Sequence, residues 1–262
     1  ASGESSPAVL LSRFTSSDRA ANIPEFVNAD PGAIKRILQR FVDDASYFRA
    51  GVLNARRGYH NVAAREFREA LELNPKNVEA YVALAGSLAQ QGEFDEAKTH
   101  LRRAIELEPG NGQAHGEMGN ILAQEGKLPE AAAWFRKALQ IDPRLRASHG
   151  RLGAVLMDLG QSAEAVVHLA EAVRLDPDDP RAAGSLGIAL LREGKRGEAA
   201  VCFSRAVELA PDFLTAILPL ASIRATSNDP ALRNGPEAIA LATRACELTK
   251  YQDPTALIAL SE

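Results

Sequence analysis

The chain has 262 residues, of which 46% are hydrophobic, 24% charged and only 5% aromatic, as in an ordinary soluble protein. Its formal net charge of -4 gives no electrostatic reason to expect nucleic acid or an anionic membrane as the main partner. No apolar run approaches the ~20 residues that a membrane-spanning helix needs.

The two cysteines, Cys202 and Cys246, are too few and too widely spaced for a disulfide framework or a zinc site. We predict that both are buried free thiols. Because the chain starts at Ala1 rather than at methionine, removal of a signal peptide, a tag or an upstream domain stays open. The compartment is open for the same reason, with the cytoplasm slightly favoured over the periplasm.

The N-terminal part divides into two predicted segments. Residues 1–29 are rich in small and polar residues and are predicted to form a linker or a loosely docked arm. From Asp30 onward, an N-capping residue and a proline suited to the first turn precede apolar residues at helical spacing. We therefore predict an N-terminal capping helix over residues 30–43.

Residues 44–250 carry a pattern that recurs every 34 residues, in which an alanine-led helical segment ends in proline. Self-similarity at such a period is the signature of stacked repeats. The prolines are Pro75, Pro109, Pro143, Pro177 and Pro211.

Four further columns are nearly constant when the segments are aligned on these prolines. A glycine seventeen residues earlier predicts a left-handed turn between two helices. Two alanine columns predict close helix contacts, and a large apolar residue between them fills the remaining space. The glycines are Gly58, Gly92, Gly126, Gly160 and Gly194, and the large residues are Phe67, Leu101, Phe135, Leu169 and Phe203.

These columns resemble those of the tetratricopeptide repeat family. Its first-helix pattern of a large residue, a leucine and a small residue stands as "YVALA" at Tyr81, Leu84 and Ala85, and recurs as "HGEMG" and "HGRLG". The resemblance implies an all-α fold, a tetratricopeptide-repeat α-solenoid of stacked antiparallel helix pairs forming a right-handed superhelix. It also implies that the first helices line a concave groove.

The predicted array has six repeats. The sixth is irregular, because turn-forming residues are inserted near "SNDPALRNG". The tail, residues 251–262, is predicted to be the truncated start of a seventh repeat or a C-terminal helix, a form familiar from bacterial members of the family; we expect a bacterial chain that runs further. The repeats are 44–77, 78–111, 112–145, 146–179, 180–213 and 214–250.

Nothing in the sequence argues for catalysis, a cofactor or a metal. His115 and His149 occupy equivalent positions, but no further ligands lie at short range. We predict that each replaces the bulky residue usual in its column, as Tyr47 and Tyr81 do, and packs between helices with one nitrogen in water.

The resemblance implies a partner-binding groove at defined columns of the first helices. Within it, Gly116, Gly150 and Gly184 form a glycine ladder, at which we predict close approach of a partner. The lysine and asparagine set of the family's chaperone-tail clamps is missing. The predicted groove residues are Phe48, Val52, Arg56, Glu79, Val82, Gly86, Gln90, Gln113, Gly116, Asn120, Gln124, Gly150, Arg151, Ala154, Asp158, Arg181, Gly184, Ile188 and Arg192.

The sequence therefore predicts a non-enzymatic scaffold that binds a peptide segment or a helix of another protein in this groove. Two alternatives stay open. The chain could be the recognition or regulatory portion of a larger enzyme or secretion machine whose catalytic part lies elsewhere, or a self-assembling scaffold that forms homo-oligomers.

Overall fold

The computed structural model describes residues 43–256. The predicted arm over 1–29 and all but the last residue of the predicted capping helix lie outside the described residues. Within 43–256 the chain forms α-helices and no strands, so the predicted all-α fold of stacked helix pairs is confirmed. The helices are α1 (Asp44–Arg56), α2 (His60–Leu73), α3 (Val78–Ala89), α4 (Phe94–Leu107), α5 (Gly112–Gln124), α6 (Leu128–Ile141), α7 (Arg146–Asp158), α8 (Ser162–Leu175), α9 (Pro180–Arg192), α10 (Arg196–Leu209), α11 (Leu214–Thr226) and α12 (Gly235–Leu248).

The chain divides into two compact units, residues 1–121 and 122–262. In the first unit, α1 packs against α2, α2 against α3 and α3 against α4, and α1 also touches α3. In the second unit each helix from α6 to α12 packs against the next, and α9 also touches α7 and α11. Within a unit, the first helices of successive pairs are therefore neighbours.

The turn inside each of the first five pairs depends on its glycine. All five turn glycines have positive φ angles, from +76° to +81°, a conformation that costs other residues energy because of their Cβ atom. The predicted left-handed turns are confirmed. They reverse the chain within a few residues, and the two helices of each pair that lies within one unit pack against each other.

The core of each pair is built on the predicted columns. All ten alanines of the two alanine columns are at most 1% exposed, as are the five large residues between them. In the pairs α1–α2, α7–α8 and α9–α10 the first helix has a glycine at the contact. A Cβ atom on Gly51 would lie 2.5 Å from Phe67, and one on Gly153 would lie 2.5 Å from Leu169. The missing side chain is therefore what lets the two helices meet.

The helix ends also follow the sequence. Side-chain oxygens of Asn77, Asn111 and Asp179 accept backbone N–H groups in the first turns of α3, α5 and α9, as N-capping residues do. The second helices of the first five pairs each end two residues before the repeat proline, because the residue before proline is disfavoured in the helical region.

The sixth pair has a longer joint, residues 227–234, which the side chain of Arg224 holds in place. Its Nη1 donates to the carbonyl of Leu232 (3.1 Å), and its Nε lies 2.9 Å from a carboxylate oxygen of Glu237. Asn234 then caps α12 by accepting the N–H of Glu237. The inserted turn residues are thus bound to both helices of the pair.

The two cysteines differ in burial. Cys246 is fully buried beside Ile217, Ala245 and Ala256. Cys202 is a free thiol as predicted, but it is only half-buried rather than buried. Burial, and then the nearby carboxylate of Glu198, raise the pKa of the Cys202 thiol.

Tyr81, His115 and His149, which occupy the tyrosine and histidine column, each make the same kind of hydrogen bond. Tyr81 Oη donates to the carbonyl of Pro75 (3.4 Å). His115 Nε2 lies 3.0 Å from the carbonyl of Pro109, and His149 Nε2 lies 3.1 Å from the carbonyl of Pro143, the proline of the preceding repeat. Both histidines are buried, so the prediction that they pack in place of an aromatic residue is confirmed.

The second nitrogen of His149 does not face water as predicted, because it meets His168. The two Nδ1 atoms are 3.1 Å apart. Since Nε2 of His149 faces a carbonyl, it carries the proton, and Nδ1 accepts from Nδ1 of His168. Burial, and then His149, hold the pKa of His168 below its usual 6.5; Arg136 acts in the same direction and Glu164 in the opposite one.

We expect Gly153→Ala and Gly150→Ala to differ in stability although both lie on α7. A Cβ atom on Gly150 meets nothing within 4 Å, so this change should raise the free energy of unfolding by up to ~1 kcal/mol through helix propensity. At Gly153 the new methyl group overlaps Leu169, which costs about 1–3 kcal/mol. Urea unfolding followed by circular dichroism measures the difference, and equal stabilities would contradict the packing described.

We expect stability to fall as the pH is lowered through 6.5, because unfolded His168 binds a proton more readily than folded His168. Because the pKa of folded His168 is lowered, its contribution to the free energy of unfolding is fully present above pH 6.5. Thermal unfolding of wild type and His168→Gln from about pH 7.5 to about pH 5.5 tests it. The variant should lose less stability over this range, and parallel curves would count against the assignment.

Candidate protein-binding groove

A cleft of about 370 Å³ lies in the first unit, on the first helices of its pairs. Helices α1, α3 and α5 supply most of its lining, with one residue from the loop before α5. The lining residues are Phe48, Val52, Glu79, Val82, Ala83, Gly86, Asn111, Gln113 and Glu117. Six of these are predicted groove residues, which the structure brings together around one space.

Helical spacing explains why these residues share a face. Phe48 and Val52 are four residues apart on α1, and Val82 and Gly86 are four apart on α3. Side chains at this separation lie one above the other on a helix. The cleft therefore lies on one face of each first helix.

The floor of the cleft is apolar and well packed. The rings of Phe48 and Phe67 are tilted with centroids 5.7 Å apart, and Phe48 also packs against the buried Tyr47. Val82 is only 5% exposed. Above Gly86 a Cβ atom would meet nothing within 4 Å, so the glycine contributes to the open space.

Carboxylates and amides form the polar part of the lining. Glu79 is exposed in the first turn of α3, and Glu117 is half-buried on α5. Asn120 Nδ2 donates to Glu117 Oε2 at 3.1 Å, which orients that carboxylate. Asn111 caps α5 through Ala114. No lysine or arginine is among the residues that line this cleft.

The other predicted residues of the first unit do not line the cleft. Arg56 is exposed at the end of α1, and Gln90 is exposed at the C-cap of α3. Gly116 is buried. Asn120 acts on the cleft only through its hydrogen bond to Glu117.

In the second unit the predicted residues spread over three helices. Those that are exposed are Gln124, Arg151, Ala154, Asp158, Arg181 and Arg192. Ile188 is half-buried on α9. Gly150 faces open space, since a Cβ atom there would have no neighbour within 4 Å.

The prediction that a partner approaches closely along the whole glycine ladder is wrong. A Cβ atom on Gly184 would lie 2.8 Å from the ring of Phe213, so this glycine accommodates an aromatic side chain of the protein itself. Gly116 is buried as well. Of the three glycines only Gly150 is open to a partner.

Arg192 is used in part inside the protein. Its Nη1 donates to the carbonyl of Met157 at 2.8 Å, near the end of α7. Contact of Arg192 with a partner in the predicted groove would therefore compete with this bond.

Three cleft residues were not predicted: Ala83, Asn111 and Glu117. Ala83 and Glu117 stand in the same 34-residue column as Arg151, which was included only as a neighbour of the groove. Treating that whole column as groove-facing would have found both. Asn111 belongs to the loop before α5, which brings it to the lining of the cleft.

The described residues contain no group of three or more histidine, cysteine, aspartate or glutamate side chains that could hold a metal ion. Within residues 43–256, no helix is both long and apolar enough to cross a bilayer.

Comparisons with known proteins agree with this architecture. One tetratricopeptide repeat family model matches residues 48–97 and 82–145, and a second matches 122–188. Together the matches extend over more than half of the chain. No curated protein sequence matches the chain significantly.

Solved structures share the fold at low sequence identity. The structure of Pseudomonas aeruginosa pilF has a TM-score of 0.72 at 19% identity and covers 83% of this chain and 96% of its own. PilW, described as a type IV pilus biogenesis factor, has a TM-score of 0.67 at 20% identity, covering 83% and 98%. YrrB, described as having an unusual peptide-binding site, has 0.51 at 21% identity, covering 70% and 94%.

Sequence identities of this size establish the fold alone. The repeat columns, the stacked helix pairs and the matched repeat models all lead to one assignment. The chain belongs to the tetratricopeptide repeat family, and its fold is that of a protein–protein interaction scaffold.

Proposed function

We propose that the protein is a non-enzymatic scaffold that holds a peptide segment or a helix of a partner protein in the cleft of the first unit. The observation that carries the proposal is the cleft itself, in which six predicted groove residues surround one space with an apolar floor. A bacterial source is part of the proposal, because the irregular sixth repeat and the segment after it resemble bacterial members of the family.

The size of the cleft suits a side chain rather than a whole domain. Its volume of about 370 Å³ is at the lower end of ordinary ligand pockets. Phe48, Val52 and Val82 can bury an apolar side chain of the partner. The exposed amide side chain of Gln113 can donate to and accept from its main chain.

We expect Gly86→Arg to abolish partner binding, because the arginine side chain would occupy the open space of the cleft. Gly150→Arg is the matched control: this glycine is also open and helical but lies in the second unit. Pull-downs from source extract with wild type and both variants, each checked by circular dichroism, provide the measurement. A protein retained by wild type and Gly150→Arg but lost by Gly86→Arg is the expected result.

Two other results would argue against the cleft. Retention of the same proteins by Gly86→Arg would place binding elsewhere. Loss by Gly150→Arg alone would move the binding surface to the second unit, near Ala154 and Asp158.

Homo-oligomer formation is a second candidate function, and exposed valines on two second helices favour it. Val167 on α8 and Val201 on α10 are 65% and 71% exposed. They are 34 residues apart and therefore occupy the same column. Exposed aliphatic side chains repeated along one face can associate with the same face of another copy.

We expect the wild type to self-associate reversibly at high concentration and a Val167→Lys, Val201→Lys variant to stay monomeric, because two buried lysines would repel across the contact. Sedimentation velocity over a range of concentrations tests this. A wild type that stays monomeric throughout would remove this candidate.

A further inference from the structure

We propose that the cleft of the first unit selects a partner segment in which a large apolar side chain is flanked by lysine or arginine. This inference rests on the proposed function, since it names the chemistry of the segment that the same cleft binds. The charged residues that line the cleft all have the same sign.

The two ionisable residues of the lining are carboxylates, Glu79 and Glu117. Glu79 stands in the first turn of α3, where the helix dipole favours a negative charge. Glu117 receives the hydrogen bond of Asn120 on Oε2, and its Oε1 accepts no hydrogen bond from the described residues. Both carboxylates are thus set to accept from a cation that a partner brings.

The lysine and arginine side chains of the first unit that form the following ion pairs lie on helices that do not line the cleft. Arg68 on α2 pairs with Glu96 at 2.7 Å, and Arg103 on α4 pairs with Glu106 at 3.0 Å. Lys98, also on α4, lies 3.0 Å from Asp95. These residues belong to second helices, whereas the cleft is formed by first helices and the loop before α5. The lining itself therefore carries only negative charge, and Arg49 and Arg56 of α1 are not part of it.

The apolar floor of the cleft favours a large apolar side chain in the partner segment. Phe48, Val52, Val82 and Ala83 offer contacts to an aliphatic or aromatic side chain, while Gly86 leaves the space that it needs. A segment with only basic residues would leave this floor uncovered. A segment with acidic residues would bring like charges together without a compensating donor, which disfavours it.

The test uses fluorescein-labelled, amidated short peptides and fluorescence anisotropy with the full chain. The probe has a leucine-phenylalanine pair between lysines. One comparison peptide has glutamates in place of the lysines, and another has glycines in place of leucine and phenylalanine. We expect the probe to bind at least ~10-fold more tightly than the glutamate peptide and to weaken with added salt.

Protein variants assign the preference to the cleft. Glu79→Gln with Glu117→Gln removes both charges at little cost in shape and should weaken probe binding by about 3- to 10-fold, as expected for partly exposed charge pairs. Glu72→Gln with Glu93→Gln is the matched control, because both residues are exposed, lie outside the cleft and give the same change in net charge. The control should bind the probe like wild type.

Three outcomes would overturn the inference: equal or tighter binding of the glutamate peptide, a lysine preference unchanged in the Glu79→Gln, Glu117→Gln variant, or no binding of the probe at millimolar concentration. None of them requires the proposed function to fail. If Gly86→Arg still loses its partner from extract, the cleft binds a segment of different chemistry, whereas failure of that experiment would remove the cleft itself as the binding site.

Discussion

The close approach of the two helices within each pair is the constraint on which the rest of this structure depends. It requires a very small residue on the first helix opposite a large one on the second, as in Gly51 with Phe67 and Gly187 with Phe203. A Cβ atom would overlap the partner side chain in both cases. Because the contact tolerates so little extra volume, it fixes the rotation of each first helix about its axis.

That fixed rotation determines which residues are available for binding. Once one face of a first helix is pressed against its second helix, residues at a spacing of four on the other face are presented together. Phe48 with Val52 on α1, and Val82 with Gly86 on α3, form the cleft for this reason. The close-packed columns are thus the cause of the binding surface, although none of their residues lines it.

The parts of the fold that depend on backbone geometry could be predicted from the sequence. The turn glycines and the caps such as Asn77 act within a few residues of chain, so one-dimensional spacing is enough. What could not be predicted depends on where a side chain points across a repeat boundary. Phe213 fills the space at Gly184, and Arg192 reaches back 35 residues to the carbonyl of Met157. Both arise from side-chain conformations that residue type alone does not specify.

The tyrosine and histidine column shows how such a fold admits functional change. Its members differ in chemistry, yet Tyr81 and His149 each satisfy the carbonyl of the preceding repeat proline. The column holds Ala183 in the fifth repeat, so the fold does not require a particular residue there, and the remaining properties of the side chain are free. In His149 this freedom allows a hydrogen-bonded pair with His168, whereas Tyr81 stacks on His100.

Groove positions such as Glu79 and Glu117 are subject to still fewer demands from the fold, since the contacts within a helix pair do not involve them. The residue types at these positions can therefore match the charge of the partner without disturbing the fold.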